Sequence, residues 1–360
     1  MTSAKTPSGA AKTGTSTAKP AAGPAIGGAA EQPTAVQLPA RTIPAPSTIS
    51  EAARAALSTG AATPPAARPA ADDLEGWRRA IEASERMWEP IAGQMLSGSR
   101  CEVATHTIAG VTTYICTPDR PASEGLAYLY MHGGAFVFGG GRFAMATGAA
   151  SAERLGITTY SVDYRLPPDH PFPAAPEDCL AVYRALVDRH DPRRIVVGGS
   201  SAGGNLAAAV TLMIRDRGLP LPTAVVLLTP EVDLTEAGDT FRTNALLDVT
   251  LKGGLPECNA LYAAGRDLTD PYLSPLFADF TRGFPPTLIQ SGTRDVFLSN
   301  SVLLHRKLRS AGIEAELHVW EAMPHGGFGF GPVPENEEIS AEVARFIARR
   351  TSGAPQAHRA

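Results

Sequence analysis

The chain has 360 residues, enough for one large α/β domain, with 32 Lys+Arg against 36 Asp+Glu and a net charge of −4. That near-balance argues against nucleic acid as a partner, and no run approaches the roughly 18 uninterrupted apolar residues of a membrane span. Four cysteines (Cys101, Cys116, Cys179, Cys258) without a C-x-x-C pair argue against a disulfide framework or a zinc site, so the chain reads as reduced, soluble and cytoplasmic.

The first 30 residues hold 25 Ala, Gly, Pro, Ser or Thr and three Lys, with no acid, and the first aromatic is Trp77. Such a segment cannot bury enough apolar surface to offset its ordering entropy, and it lacks the apolar run of a secretory signal. Residues 1–71 are therefore expected to be a disordered arm, with the Ala/Pro-rich stretch 59–71 as the last linker. At Asp72-Asp73 the texture changes: these residues can cap a helix whose apolar positions are Leu74, Trp77, Ile81, Met87 and Ile91. Two β-type runs, 102–108 and 111–117, follow as a hairpin turning at Ala109-Gly110, which would bring Cys101 near Cys116. Apolar strands are then expected at 126–131, 157–162, 195–198, 224–228, 287–290 and 316–319. Helical patterns are clearest at 176–189, 202–217, 299–311 and 337–349. Continuous apolar strands separated by helices predict an α/β fold, a mostly parallel sheet with helices on both faces, over a core of 98–352 and a flexible tail at 353–360.

The strand at 195–198 runs into Gly199-Ser200-Ser201-Ala202-Gly203, and a helix follows at once. This is the G-x-S-x-G pattern in the strand–turn–helix context that exposes a nucleophilic serine, here Ser201. Glycines two before and two after relieve crowding in the turn, and the helix N-terminus favours developing negative charge. The run His132-Gly133-Gly134-Ala135-Phe136 follows the strand at 126–131. Its small residues would let the amides of Gly134 and Ala135 (or Gly133) join that of Ala202 as an oxyanion hole.

A serine needs a base, and the base needs an orienting acid. His325 follows the strand at 316–319 in Met323-Pro324-His325-Gly326-Gly327, and Asp295 follows the strand at 287–290. The chain order Ser201, Asp295, His325 is that of an α/β-hydrolase triad. Asp233, Asp267 and Glu321 are the competing acids, with Asp233 the most serious because it too follows a strand. The histidines 106, 190, 305, 318 and 358 show no metal-ligand spacing, and no nucleotide-binding motif occurs in context, so neither cofactor nor metal is expected.

Together with Asp163-Tyr164-Arg165-Leu166-Pro167-Pro168-Asp169-His170-Pro171-Phe172-Pro173-Ala174, these motifs resemble the hormone-sensitive-lipase-like carboxylesterases of the α/β-hydrolase superfamily over roughly residues 72 to 350. The resemblance implies an eight-stranded, mostly parallel sheet with a helical cap, which here would come from 72–97 and about 239–266. Three departures stand out: Ala135 replaces the usual third glycine, Ser200 stands where many members carry Asp, and Asp295 is followed by Val296-Phe297 rather than Pro-Leu. The implied activity is hydrolysis of small-molecule esters through an acyl-enzyme on Ser201, and short to medium acyl chains are expected because no long apolar lid is evident. A lactone or amide hydrolase with the same triad is the alternative, and a non-catalytic ligand-binding protein a more distant one. The sequence leaves the oligomeric state open, a homodimer included.

Overall fold

The computed structural model describes residues 36–63, 67–122 and 125–352. The disorder expected of residues 1–35 and the tail at 353–360 lie outside the described residues. The chain divides into two units at Pro44; residues 36–44 of the first carry no regular secondary structure, and all that follows belongs to the second.

In chain order the second unit holds α1 (Glu51–Ala62), α2 (Leu74–Gly98), β1 (Glu102–Ile108), β2 (Val111–Thr117), β3 (Ala127–Met131), α3 (Arg142–Leu155), β4 (Thr158–Val162) and α4 (Ala174–Val187). After these come β5 (Ile195–Ser200), α5 (Ala202–Asp216), β6 (Ala224–Leu228), α6 (Thr240–Thr243), α7 (Pro256–Ala263), β7 (Thr287–Gly292), α8 (Leu298–Ser310), β8 (Ala315–Trp320) and α9 (Pro334–Thr351). The strands form one eight-stranded sheet in the order β1-β2-β4-β3-β5-β6-β7-β8. The β1–β2 hairpin and the β2–β4 pair are antiparallel; every other pair is parallel. Hairpin proximity does not join the cysteines: Cys101 and Cys116 are both free, and Cys101 Sγ donates instead to Ala149 O at 3.3 Å.

Successive side chains on a strand point to opposite faces, and here both faces are apolar. Leu129, Met131, Val197, Val225, Leu227 and Ile289 meet α4, α5 and α8 in the larger core. Their neighbours Tyr128, Tyr130, Val196, Val226 and Leu288 meet Val343, Phe346 and Ile347 of α9 on the other side. Helix α3 covers β2 and β4 on closely spaced small residues: a Cβ placed on Gly148 would lie 2.5 Å from Ser161 Cβ. An Ala/Gly/Ser face of that kind has little apolar periodicity, which is why the sequence reading passes over this helix.

The expectation of disorder through residue 71 is corrected by α1. Ser50 caps it by accepting from Ala53 N at 3.1 Å, while its own amide and hydroxyl donate to Glu335 of α9 at 2.6 and 2.8 Å. Ile49, Ala53 and Leu57, four residues apart, are buried against Ala322, Met323, Phe328 and Val333. Three apolar side chains in an Ala-rich context are enough once a partner surface exists, although they are faint in isolation. The supposed linker is also tied down: Arg68 donates to Gly254 O at 2.8 Å, and Trp77 Nε1 to Ala70 O at 2.9 Å. Truncating Leu57 to Ala should therefore lower the unfolding free energy by about 2–3 kcal/mol, read from the urea midpoint at unchanged slope. A midpoint equal to that of the parent protein would show that α1 is not docked in solution.

Candidate active site

The C-terminal edge of the parallel strands gathers the motif residues. Strand β5 ends at Ser200, and Ser201 is the N-cap of α5 with φ 58° and ψ −123°, a left-handed conformation costing a non-glycine residue about 1–3 kcal/mol. The turn is held by Ser201 N donating to Leu228 O (2.9 Å) and Asn205 N donating to Ser201 O (3.1 Å). Backbone approaches the turn so closely that side chains are excluded. A Cβ on Gly199 would lie 2.5 Å from Met131 O, and one on Gly203 would lie 2.0 Å from the same oxygen. The pattern's two glycines are thus explained by the end of β3 lying against them.

The same approach brings the loop after β3 beside Ser201. The Cβ position of Gly133 is 3.4 Å from Ser201 Cβ, and Gly134 O accepts from Val137 N (3.0 Å) and Phe138 N (2.8 Å) to close the loop into a turn. No backbone acceptor among the described residues takes the amides of Gly133, Gly134, Ala135 or Ala202. His132 is fully buried. Its ring stacks on Tyr164 at 4.1 Å, its carbonyl accepts from Tyr164 Oη at 2.7 Å, and burial lowers its pKa. It therefore props the loop from behind as a neutral ring.

Ser201 Oγ donates to His325 Nε2 at 2.8 Å, and His325 Nδ1 donates to Asp295 Oδ1 at 3.1 Å. Asp295 is fully buried; its Oδ2 accepts from Ser291 Oγ (2.6 Å) and its Oδ1 from Phe297 N (3.0 Å). Phe297 also sets its ring edge-on to the imidazole, centroids 4.7 Å apart. Burial alone would lower the His325 pKa, but the hydrogen bond and charge of Asp295, with the carboxylate of Asp248, outweigh it and the net direction is upward.

The α/β-hydrolase fold family matches residues 128–329. The chain is 34% identical over 248 residues to an acetyl-hydrolase of Streptomyces hygroscopicus, covering 68% of this chain and 83% of that one. The crystal structure of an esterase E25 superposes with a TM-score of 0.80 at 35% identity, covering 88% of this chain and 98% of its own. That of an esterase from the bacterial hormone-sensitive lipase family does so with a TM-score of 0.74 at 32% identity, covering 84% and 99%. The chain belongs to the hormone-sensitive-lipase-like carboxylesterases of the α/β-hydrolase superfamily. It is a carboxylic ester hydrolase.

In this esterase the competing acids are engaged elsewhere. Asp233 Oδ1 accepts from the amide and hydroxyl of Thr235 at 3.0 and 2.5 Å, Asp267 serves Thr269 in the same way, and Glu321 is exposed. His190, remote from the site, pairs with Tyr160 Oη at 3.0 Å. One residue near His325 escapes the sequence reading altogether. Asp248, in the loop between α6 and α7, is fully buried and accepts the amide of His325 itself. It carries no motif, and 77 residues separate it from its partner. Donor atoms of Asp248, Asp295 and His325 lie within 4.8 Å of one another, but their oxygens and nitrogens are already spent on amides, a hydroxyl and each other. Among the described residues no helix is long and apolar enough to cross a membrane.

The tight turn sets a steric test. Adding a methyl at Gly203 should push back the end of β3, costing about 3 kcal/mol of stability and most of the turnover of p-nitrophenyl acetate. Full activity of Gly203→Ala in a melting-controlled assay would contradict the contact.

Proposed function

We propose that this esterase hydrolyses short- to medium-chain acyl esters, with Ser201 as nucleophile, His325 as general base and Asp295 as the acid that orients it. The observation that carries the reading is the unbroken relay of 2.8 and 3.1 Å from Ser201 Oγ through the imidazole to Asp295. Ser201 Oγ attacks the ester carbonyl as its proton passes to His325 Nε2. The carbonyl oxygen, now negative, turns toward the amides of Gly134, Ala135 (with Gly133) and Ala202, each worth up to about 3–4 kcal/mol when well placed. His325 then hands the proton to the departing alcohol, leaving an acyl-enzyme on Ser201. Water attacks that ester with His325 again as base, and the acid leaves.

Helix α2 and the stretch 239–266 are proposed as the cap. Trp77 of α2 shares one buried cluster with Phe241, Leu251, Leu255 and Leu261 of that stretch, and with Val137, Val296 and Phe297 from the loops of the site. The preference for short chains is supported by the acetyl-hydrolase relative and by EstE5, a solved structure at 29% identity that was soaked with p-nitrophenyl butyrate. Ala135, where the family usually has glycine, adds a methyl beside the acyl group.

On a p-nitrophenyl series from acetate to palmitate, turnover should peak at the short end and fall by at least about 10³-fold in Ser201→Ala. A mutant with undiminished turnover, or a peak at palmitate, would refute the nucleophile or the chain-length preference respectively. The raised imidazole pKa sets the acidic limb. The base works only when neutral, so kcat/KM should be full above the His325 pKa and decline as pH falls through a value above the ordinary 6.5. A limb well below 6.5 would contradict the carboxylates' hold on the ring.

A further inference from the structure

The carboxylate of Asp248 accepts four backbone amides. Its Oδ1 takes Thr250 N and Leu251 N, each at 3.0 Å, and its Oδ2 takes Val296 N at 2.9 Å. His325 N lies 3.3 and 3.1 Å from the two oxygens. Two of these amides stand directly on the machinery: Val296 follows Asp295, and His325 is the base itself. A single side chain from the α6–α7 loop thus spans the loop after β7 and the loop after β8.

We propose that Asp248 is a positioning residue for ester hydrolysis, locking the Asp295 and His325 loops in register and setting a second negative charge beside the imidazole. The proposal rests on the reading of Ser201, His325 and Asp295 as the reacting triad. The charged groups that face His325 are Asp295, across the hydrogen bond, and Asp248, beneath its main chain. When Ser201 gives up its proton the ring becomes a cation, and two carboxylates rather than one then face it. A buried carboxylate is tolerable only if its lone pairs are filled, and four amides fill them. Burial and repulsion from Asp295 still push Asp248 up to about 6, while the facing imidazole pulls the other way.

The bridge depends on an N–H directly after Asp295. Proline, which the resembling esterases usually carry after the acid, has no N–H to give, whereas Val296 does. From outside, Val249 packs under α1, where a Cβ on Gly60 would lie 2.8 Å from Val249 Cγ2. Asp248 is therefore gripped between α1 and the site.

The test compares the parent enzyme, Asp248→Asn, Val296→Pro and Ser201→Ala on p-nitrophenyl acetate across the acidic limb, with thermal melting as a folding control. Asp248→Asn sets an amide group against donors that need a carboxylate and removes the charge. Its kcat should fall about 10–100-fold with KM changed less than about threefold, and its acidic limb should move to lower pH. Val296→Pro removes one donor but keeps the charge, so kcat should fall less while the limb stays in place. A merely structural side chain would not move the limb. Parent-like kcat and an unmoved limb in folded Asp248→Asn, with Ser201→Ala silent, would overturn the positioning role alone; activity in Ser201→Ala would overturn the triad reading beneath it. Should Asp248→Asn fail to fold, Val296→Pro decides, and parent-like kcat there overturns the proposal.

Discussion

The carbonyl of Met131, at the end of β3, stands where no side chain could fit on Gly199 or Gly203, and the rest of the site follows from that approach. Because β3 and β5 are parallel neighbours, their C-terminal ends emerge together, and closing the gap between them sets the loop after β3 against the first turn of α5. Amides from two separate segments can then point at one small volume beside Ser201. The cost is a left-handed serine, and neighbouring bonds over-determine it. Besides the bonds made by its own amide and carbonyl, Asn205 on the next turn donates through Nδ2 to Glu231 O (2.7 Å) and Leu273 O (2.8 Å). Strain of this kind persists only where the surroundings leave no alternative, and here α5, β6 and two loops remove the alternatives.

Electrostatics adds a second layer. Ionised acids are expensive in an apolar interior, and what decides their state is the number of donors and the sign of their neighbours. Glu231, fully buried with its carboxyl served by Asn259 Nδ2 at 2.7 Å and other acids near, is pushed well above the usual carboxylate range by burial. Asp248 is buried to the same degree, yet four amides and a facing imidazole keep its upward shift to about 6. The two acids thus show how donors and a facing imidazole limit the upward push of burial. The better-served one lies beside His325.

How much of this was legible in the sequence depends on whether the information is local. The strands at 102–108, 111–117 and 224–228 are bounded in the structure as their patterns predict, because alternating or continuous apolar character is a property of neighbouring residues. Ser201, His325 and Asp295 could be picked out because each sits on a loop that immediately follows a strand, and glycines mark two of those loops. Helix α3 could not, since its close packing on Ser161 requires the small residues that erase an apolar stripe. Nor could α1, whose buried Ala53 and Leu57, with Ile49 just before the cap, acquire meaning only against Phe328 and Val333, far along the chain. Asp248 is the extreme case. A lone aspartate after two leucines looks like a surface turn until three-dimensional proximity gives it Val296 and His325.

These non-local elements form one line of contact. Helix α1 packs on Met323 and Phe328, which flank His325, and on Val249, whose neighbour Asp248 holds the amide of His325. The family match covers 128–329, so α1 lies outside the matched segment. A loop after an edge strand has few contacts of its own, and β8 is the last strand of the sheet. In the proposed reaction its imidazole has to be held to within a few tenths of an ångström of Ser201 for proton transfer. Packing from α1 on Met323 and Phe328 and the buried carboxylate of Asp248 on the His325 amide supply that rigidity through the backbone of the loop, away from the ring nitrogen that meets Ser201.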